Sequence, residues 1–163
     1  MNYSGISKCS ICDGLGVRVV LFVSGCDRHC KGCQNPQTWD CNYGKPFTEE
    51  TMDYLLELVS PSWVRGVTLS GGDPLHVYNR EGTLAVAKTL KEKYPEKDIW
   101  MYTGFSWDDI KNEEILSYID VLVDGEFVLG DKNLTLPFRG SSNQRIINVP
   151  ESLKSGTVIL LDM

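Results

Sequence analysis

Apolar, β-rich segments alternate along this chain with segments of helical period. Val17-Arg18-Val19-Val20-Leu21-Phe22-Val23 is an almost unbroken β-branched and aromatic run, the pattern of a strand buried on both faces. Ser24–Tyr43 holds four cysteines among glycine, asparagine and proline and reads as a long loop. Thr48-Glu49-Glu50-Thr51 joins an N-cap to an acidic first turn and predicts a helix through Val59. Gly66–Ser70 is a second predicted strand, ending in Gly71-Gly72-Asp73-Pro74. Leu84, Ala87, Leu90 and Lys91 repeat at helical spacing over Arg80–Tyr94, and Pro95 stops that helix. A third strand, Asp98–Tyr102, a helix around Trp107–Tyr118 and a fourth strand, Asp120–Asp124, continue the alternation. Beyond Gly125 the pattern weakens, and Gln144–Val149 and Thr157–Leu161 read as two more strands with a short connection.

Such alternation predicts an α/β fold on a parallel sheet with right-handed crossovers. Ser24-Gly25, Ser70-Gly71-Gly72, Thr103-Gly104 and Asp124-Gly125 all end strands in glycine turns. Ligands of parallel α/β folds sit at the carboxyl ends of strands, so these turns are expected to rim one site. With no linker or low-complexity tract, residues 1–163 are expected to form one domain.

Composition narrows the class. A chain of 163 residues buries roughly two thirds of its unfolded surface without disulfides, but is too short for an eight-unit barrel of about 250 residues. Sixteen Lys plus Arg against 22 Asp plus Glu give a net charge of −6, the wrong balance for gripping a nucleic-acid backbone. No apolar run approaches the ~20 residues that span a bilayer. Met1–Lys8 lacks the charged-then-apolar pattern of a signal peptide, so the expected location is cytoplasmic, with no membrane partner. Cytosolic thiols stay reduced, and six cysteines there point to metal ligation or catalysis.

Two metal readings fit the cysteine spacing. Cys9-x-x-Cys12 with Cys30-x-x-Cys33 matches a four-thiolate zinc ribbon, which leaves Cys26 and Cys41 idle and encloses a strand-like run. Cys26-x-x-x-Cys30-x-x-Cys33 alone puts three thiolates within eight residues after a strand, enough to wrap one corner of a cubane iron–sulfur cluster. Four cysteines usually hold a cubane; three leave one iron open, the mark of a reactive centre. Gly25 and Gly32 would let the backbone fold tightly round the inorganic core.

The second spacing, with Gly71-Gly72-Asp73-Pro74 after the next strand, resembles the radical S-adenosylmethionine enzymes. The resemblance is closest to the branch that activates anaerobic ribonucleoside-triphosphate reductase. It runs through Leu21–Cys26, Cys30–Cys33, Thr38-Trp39, Leu69–His76, Lys97–Trp100, Val121–Gly125 and Arg139–Gln144, nearly the whole chain in order. It implies an abbreviated β/α barrel of five or six mostly parallel strands, open on one side. It also implies a 4Fe-4S cluster on Cys26, Cys30 and Cys33, whose open iron chelates S-adenosylmethionine. An electron entering the sulfonium would then release a 5′-deoxyadenosyl radical, which takes hydrogen from a glycine of the reductase. The cofactor carries that chemistry, and no side chain need act as a general base.

By the same resemblance Gly32, Cys33, Gln34 and Gly72 touch the cofactor, and Asp73 is a partner for its amino group. Gln34 stands where the activase branch commonly has tyrosine, and Asp73 where the broad superfamily often has glutamate. The implied partners are the reductase and a one-electron donor such as flavodoxin, which Arg18, Arg28 and Lys31 would attract by a local positive field. An activase of a pyruvate formate-lyase-like enzyme is the enzymatic alternative; a zinc-stabilised binding module is the other.

The remaining candidates have plain readings. Cys9, Cys12 and Cys41 read as small buried residues. His29 reads as a solvated loop residue, His76 as a structural histidine, and Trp100 and Tyr102 as core and rim packing. Asp124 is either a cofactor contact or a turn former before Gly125. Arg139–Gln144 is either packing near adenine or a polar loop.

Overall fold

The computed structural model describes residues Met1–Met163. The chain opens with β1, Asn2–Ser10, a strand absent from the sequence-based expectation. Its small, polar residues are half-buried or exposed and carry no apolar run to announce it. The apolar run that follows is β2, Arg18–Val23, with five of its six residues buried. A two-residue strand β3, Lys45–Pro46, precedes helix α1, Glu49–Val59, which Thr48 caps by accepting from the Thr51 N–H. Strand β4 is Gly66–Gly71, helix α2 Arg80–Lys93 and strand β5 Asp98–Tyr102, all close to expectation.

The helix expected over Trp107–Tyr118 is broken. Helix α3 covers only Trp107–Ile110, and a 3-10 turn covers Glu114–Tyr118, so Ile110, Ile115 and Leu116 still reach the core. Strand β6 is Val121–Asp124 and β7 is Arg145–Asn148. Helix α4, Val149–Ser155, then occupies the stretch taken for a short connection. Asn148 caps it by accepting from the Glu151 N–H, Pro150 sits in the first turn where no donor is needed, and left-handed Gly156 ends it. Thr157–Leu161 is not a strand; Leu160 makes one bridge to Ile147.

The fold is a mixed α/β sheet of seven strands in the order β3-β1-β2-β4-β5-β6-β7. Strands β2, β4, β5 and β6 are parallel, as the alternation requires, while β1, β3 and β7 pair antiparallel. The expectation of five or six mostly parallel strands is corrected on this point. No helical crossover connects β6 to β7, and without one the chain returns antiparallel.

Side-chain alternation gives the parallel strands two faces. Val19, Leu21, Val67, Leu69, Ile99, Met101 and Leu122 face Leu55, Val59, Val86, Ala87 and Leu90 of the helices in the main core. Trp100, Val121, Val123 and Ile146 point the other way, with Leu15, Tyr102 and Phe138 packed on them. Arg18 is also buried here, within 2.6 Å of Asp98 and donating to Thr68 Oγ1 at 2.8 Å and the Val67 carbonyl at 2.8 Å. A fully buried, paired guanidinium cannot steer a partner, so Arg18 drops out of the expected positive field. No helix is long and apolar enough to cross a membrane.

Candidate functional site

The carboxyl ends of β2, β4, β5 and β6 rim an open cavity of about 570 Å³, as their glycine turns suggest. Cys26, Cys30, Cys33 and Gln34 line it from one side, and Gly71, Gly72 and Asp73 from the next strand end. Thr103, Gly104, Gly125 and Gln144 complete the rim that the sequence predicts.

The cysteine loop is pinned at its root. Gly25 N–H donates to the Thr38 carbonyl at 2.7 Å and Cys26 N–H to the Trp39 carbonyl at 3.2 Å. The Asn79 amide then ties the Ser24 carbonyl (2.9 Å) to the Asp73 carbonyl (3.0 Å), joining the cysteine loop to the end of β4. Exposed His29, in the left-handed region at φ 49°, stacks on Trp39 with centroids 4.3 Å apart. Buried His76 is structural, as expected: its Nδ1 accepts from the Tyr78 N–H, which leaves Nε2–H to donate to Asp27 at 3.0 Å.

One of the three sulfurs has a backbone N–H at hydrogen-bond distance. Asn35 N–H donates to Cys33 Sγ at 3.4 Å. The backbone amides of Arg28 and His29 near Cys26, and of Phe127 near Cys30, favour the thiolate forms. Burial nonetheless pushes the Cys26 and Cys30 thiols above the ordinary cysteine range, so a cationic centre is needed to hold them as thiolates. No group of three His, Cys, Asp or Glu side chains is gathered for a single metal ion. A cubane binds each thiolate on a separate iron, so its ligands ring a space without converging on a point. Three soft thiols lining one cavity fit that group.

The zinc-ribbon reading lacks its gathered tetrad. Cys9 lies on β1 and Cys12 in the turn after it; both are exposed, which corrects the expectation that they are buried. Residues at the outer end of an edge hairpin have no layer to cover them. Cys12 meets only the cavity rim, and Cys41 is half-buried beside Gly25.

Gly71 and Gly72 have a backbone reason to be glycine. Gly71 has φ 132° and pairs with Val23, and a Cβ there would be driven into the Val23 carbonyl. A Cβ on Gly72 would stand 2.7 Å from the Gly25 carbonyl oxygen and 3.0 Å from that of Thr38. Asp73 is committed elsewhere than expected: Oδ1 accepts from Leu75 N–H (2.9 Å) and Thr103 Oγ1 (2.8 Å), Oδ2 from Gly104 N–H (2.9 Å). The carboxylate thus clamps the ends of β4 and β5, while burial pushes its proton affinity up against those bonds. Asp124 takes neither expected role alone. It holds Arg145 at 3.1 and 2.6 Å and accepts from Trp107 N–H at 2.9 Å, locking β6, β7 and the start of α3.

Of the expected cofactor contacts, Cys33, Gln34 and Gly72 line the cavity; Gly32, at φ 81°, turns the chain toward Leu129. Trp100 is buried and Tyr102 donates to the Phe138 carbonyl at 2.6 Å, as packing residues should. In the Arg139–Gln144 segment, Gln144 braces the loop by accepting from Gly140 and Ser141 N–H and donating to the Gly125 carbonyl. The cavity also takes Phe127 and Phe138, which sequence reasoning passed over, and Arg28, which the sequence suggested only as part of a positive field.

Residues 12–147 match the family model described as a 4Fe-4S single cluster domain. The chain is 45% identical over 148 residues to the anaerobic ribonucleoside-triphosphate reductase-activating protein of Enterobacteria phage T4, covering 90% of this chain and 93% of that one. Identity is 39% over 150 residues to the protein of that name from Vibrio cholerae, covering 90% and 97%. Against the Escherichia coli K12 protein of that name it is 40% over 148 residues, covering 88% and 96%.

Proposed function

The chain belongs to the family of anaerobic ribonucleoside-triphosphate reductase-activating proteins and carries its 4Fe-4S domain, and from that premise we propose that it makes a glycyl radical on such a reductase by cleaving S-adenosylmethionine. Cys26, Cys30 and Cys33 would hold the cluster, and three protein ligands would leave one iron free to take the cofactor. When bound, that centre supplies the electron that breaks the sulfonium carbon–sulfur bond. The observation that carries the reading is the three-thiol loop lining one cavity with Gly72.

This chain's own residues bind, orient and exclude water. Gly72 and the Gln34 side chain, with the backbone of Cys33 and neighbouring Gly32, would hold the methionyl end of the cofactor. Asp73 acts through its clamp, keeping the ends of β4 and β5 at fixed separation beside that site. Phe22, Phe127 and Phe138 supply the apolar walls that limit water. The parallel strands are the core of an abbreviated radical-SAM barrel, the chain works as one domain in the reducing cytosol, and exposed Lys31 faces the one-electron donor, reduced flavodoxin or its like. The names of the relatives favour the ribonucleotide reductase over a pyruvate formate-lyase-like partner.

Anaerobic reconstitution tests this. We expect about four irons per chain, a brown chromophore, and methionine plus 5′-deoxyadenosine on reduction with S-adenosylmethionine. One tightly held zinc, no chromophore and no deoxyadenosine would overturn the proposal.

A further inference from the structure

Arg28 lies between the first two cysteines, and its side chain enters the cavity they line. The guanidinium carbon stands 4.4 Å from the centroid of Phe105, whose ring also packs on Arg80 at 5.3 Å. Gly104 makes the room, because a Cβ there would be driven into the Arg28 Cδ and Nε atoms. Phe105 is itself fixed, its N–H donating to Thr103 Oγ1 at 3.2 Å and its carbonyl accepting from Gly125 at 3.0 Å. The guanidinium therefore has a set place. Its charge is poorly answered: Nε is buried without a partner, and the nearest carboxylate, on half-exposed Glu126, is 3.5 Å from Nη1. Asp73, nearby, spends both oxygens on Leu75, Thr103 and Gly104.

We propose that Arg28 is a redox-positioning residue, a fixed cation that raises the reduction potential of the cluster held by Cys26, Cys30 and Cys33. The inference rests on the functional reading above. The reductant, a low-potential flavoprotein in the cell or dithionite in the assay, gives up one electron; no bond breaks and no proton moves. Arg28 stabilises the added negative charge from a largely buried position, 26% exposed, where solvent screens it only in part. Because Phe105 and Gly104 already hold the guanidinium, little reorganisation accompanies the electron.

The test is an EPR-monitored potentiometric titration of the reconstituted, iron-assayed protein without S-adenosylmethionine. Arg28→Met, which keeps bulk and loses charge, should lower the reduced-to-oxidised ratio at a given potential about tenfold, a shift of about 59 mV for one electron. Arg28→Lys should recover most of that shift, whereas a purely structural role would change thermal stability and leave the potential alone. Glu126→Gln, which removes the nearest opposing charge, should move the potential upward, and it decides the matter if Arg28→Met fails to load. An unchanged potential in loaded Arg28→Met, or in Glu126→Gln if only that variant loads, overturns the inference while leaving the functional reading intact. A wild-type protein that takes up no cluster sinks both.

Discussion

Cys30→Ala will fold, yet after anaerobic reconstitution it will hold no stable four-iron cluster and will cleave S-adenosylmethionine at background rate. Cys30 is only half-buried, on a loop outside the main core, so the unloaded variant should keep wild-type stability within about 0.5 kcal/mol. Loss of metal with retention of fold separates a ligand from a packing residue. With Cys30 gone, two thiols remain and a second iron is bare. Cys9→Ala is the matched control: it removes an exposed thiol that only the zinc-ribbon reading requires, and iron content and deoxyadenosine yield should both stay at wild-type level. Iron assay, visible absorption and product chromatography read the outcome.

Gly71→Ala will act through the backbone. The left-handed conformation costs a side chain roughly 1–3 kcal/mol, and collision with the Val23 carbonyl adds about 1–3 more. A loss of about 3 kcal/mol corresponds to a melting temperature lower by roughly 6–12 °C for a chain of this size. Relief of the overlap must part β2 from β4 at Val23, beside the root of the cysteine loop, so cluster uptake should fall as well. Gly5→Ala, with nothing near its would-be Cβ, should change stability by less than about 0.5 kcal/mol. Scanning calorimetry of the two variants suffices.

The legible parts of this fold are those in which local pattern and tertiary role coincide. β2 reads as a central strand because both faces of Val19–Val23 are apolar or aromatic, and α1 reads as a helix because Thr48 and its acidic first turn cap it locally. β1 does not read as a strand because its small, polar residues are half-buried or exposed, and only Asn2 and Tyr3 are covered by β3. Apolar positions continue past Lys111 although the helix does not, which made α3 look three turns long. For α4 a signal existed, Asn148 and Pro150 before Glu151 with Gly156 beyond, and the apolar Thr157–Leu161 stretch obscured it.

In the site, the cysteine loop and the glycine turns were legible because they are continuous in sequence. The clamps were not. Arg18 finds Asp98 eighty residues away, and Asp73 finds Thr103 thirty residues away, so only folding reveals that one is a core ion pair and the other a strand-end brace. Arg28 is of the same kind: its charge is visible in the chain, its seat on Phe105 and Gly104 is not.

The most direct trial is to mix the reduced, iron-loaded protein with S-adenosylmethionine and an anaerobic ribonucleoside-triphosphate reductase, then freeze the sample for electron paramagnetic resonance. A doublet from a glycyl radical on the reductase, growing with deoxyadenosine and absent from the Cys30→Ala sample, is what this account predicts. A reductase that stays silent while the loaded protein splits the cofactor would contradict it.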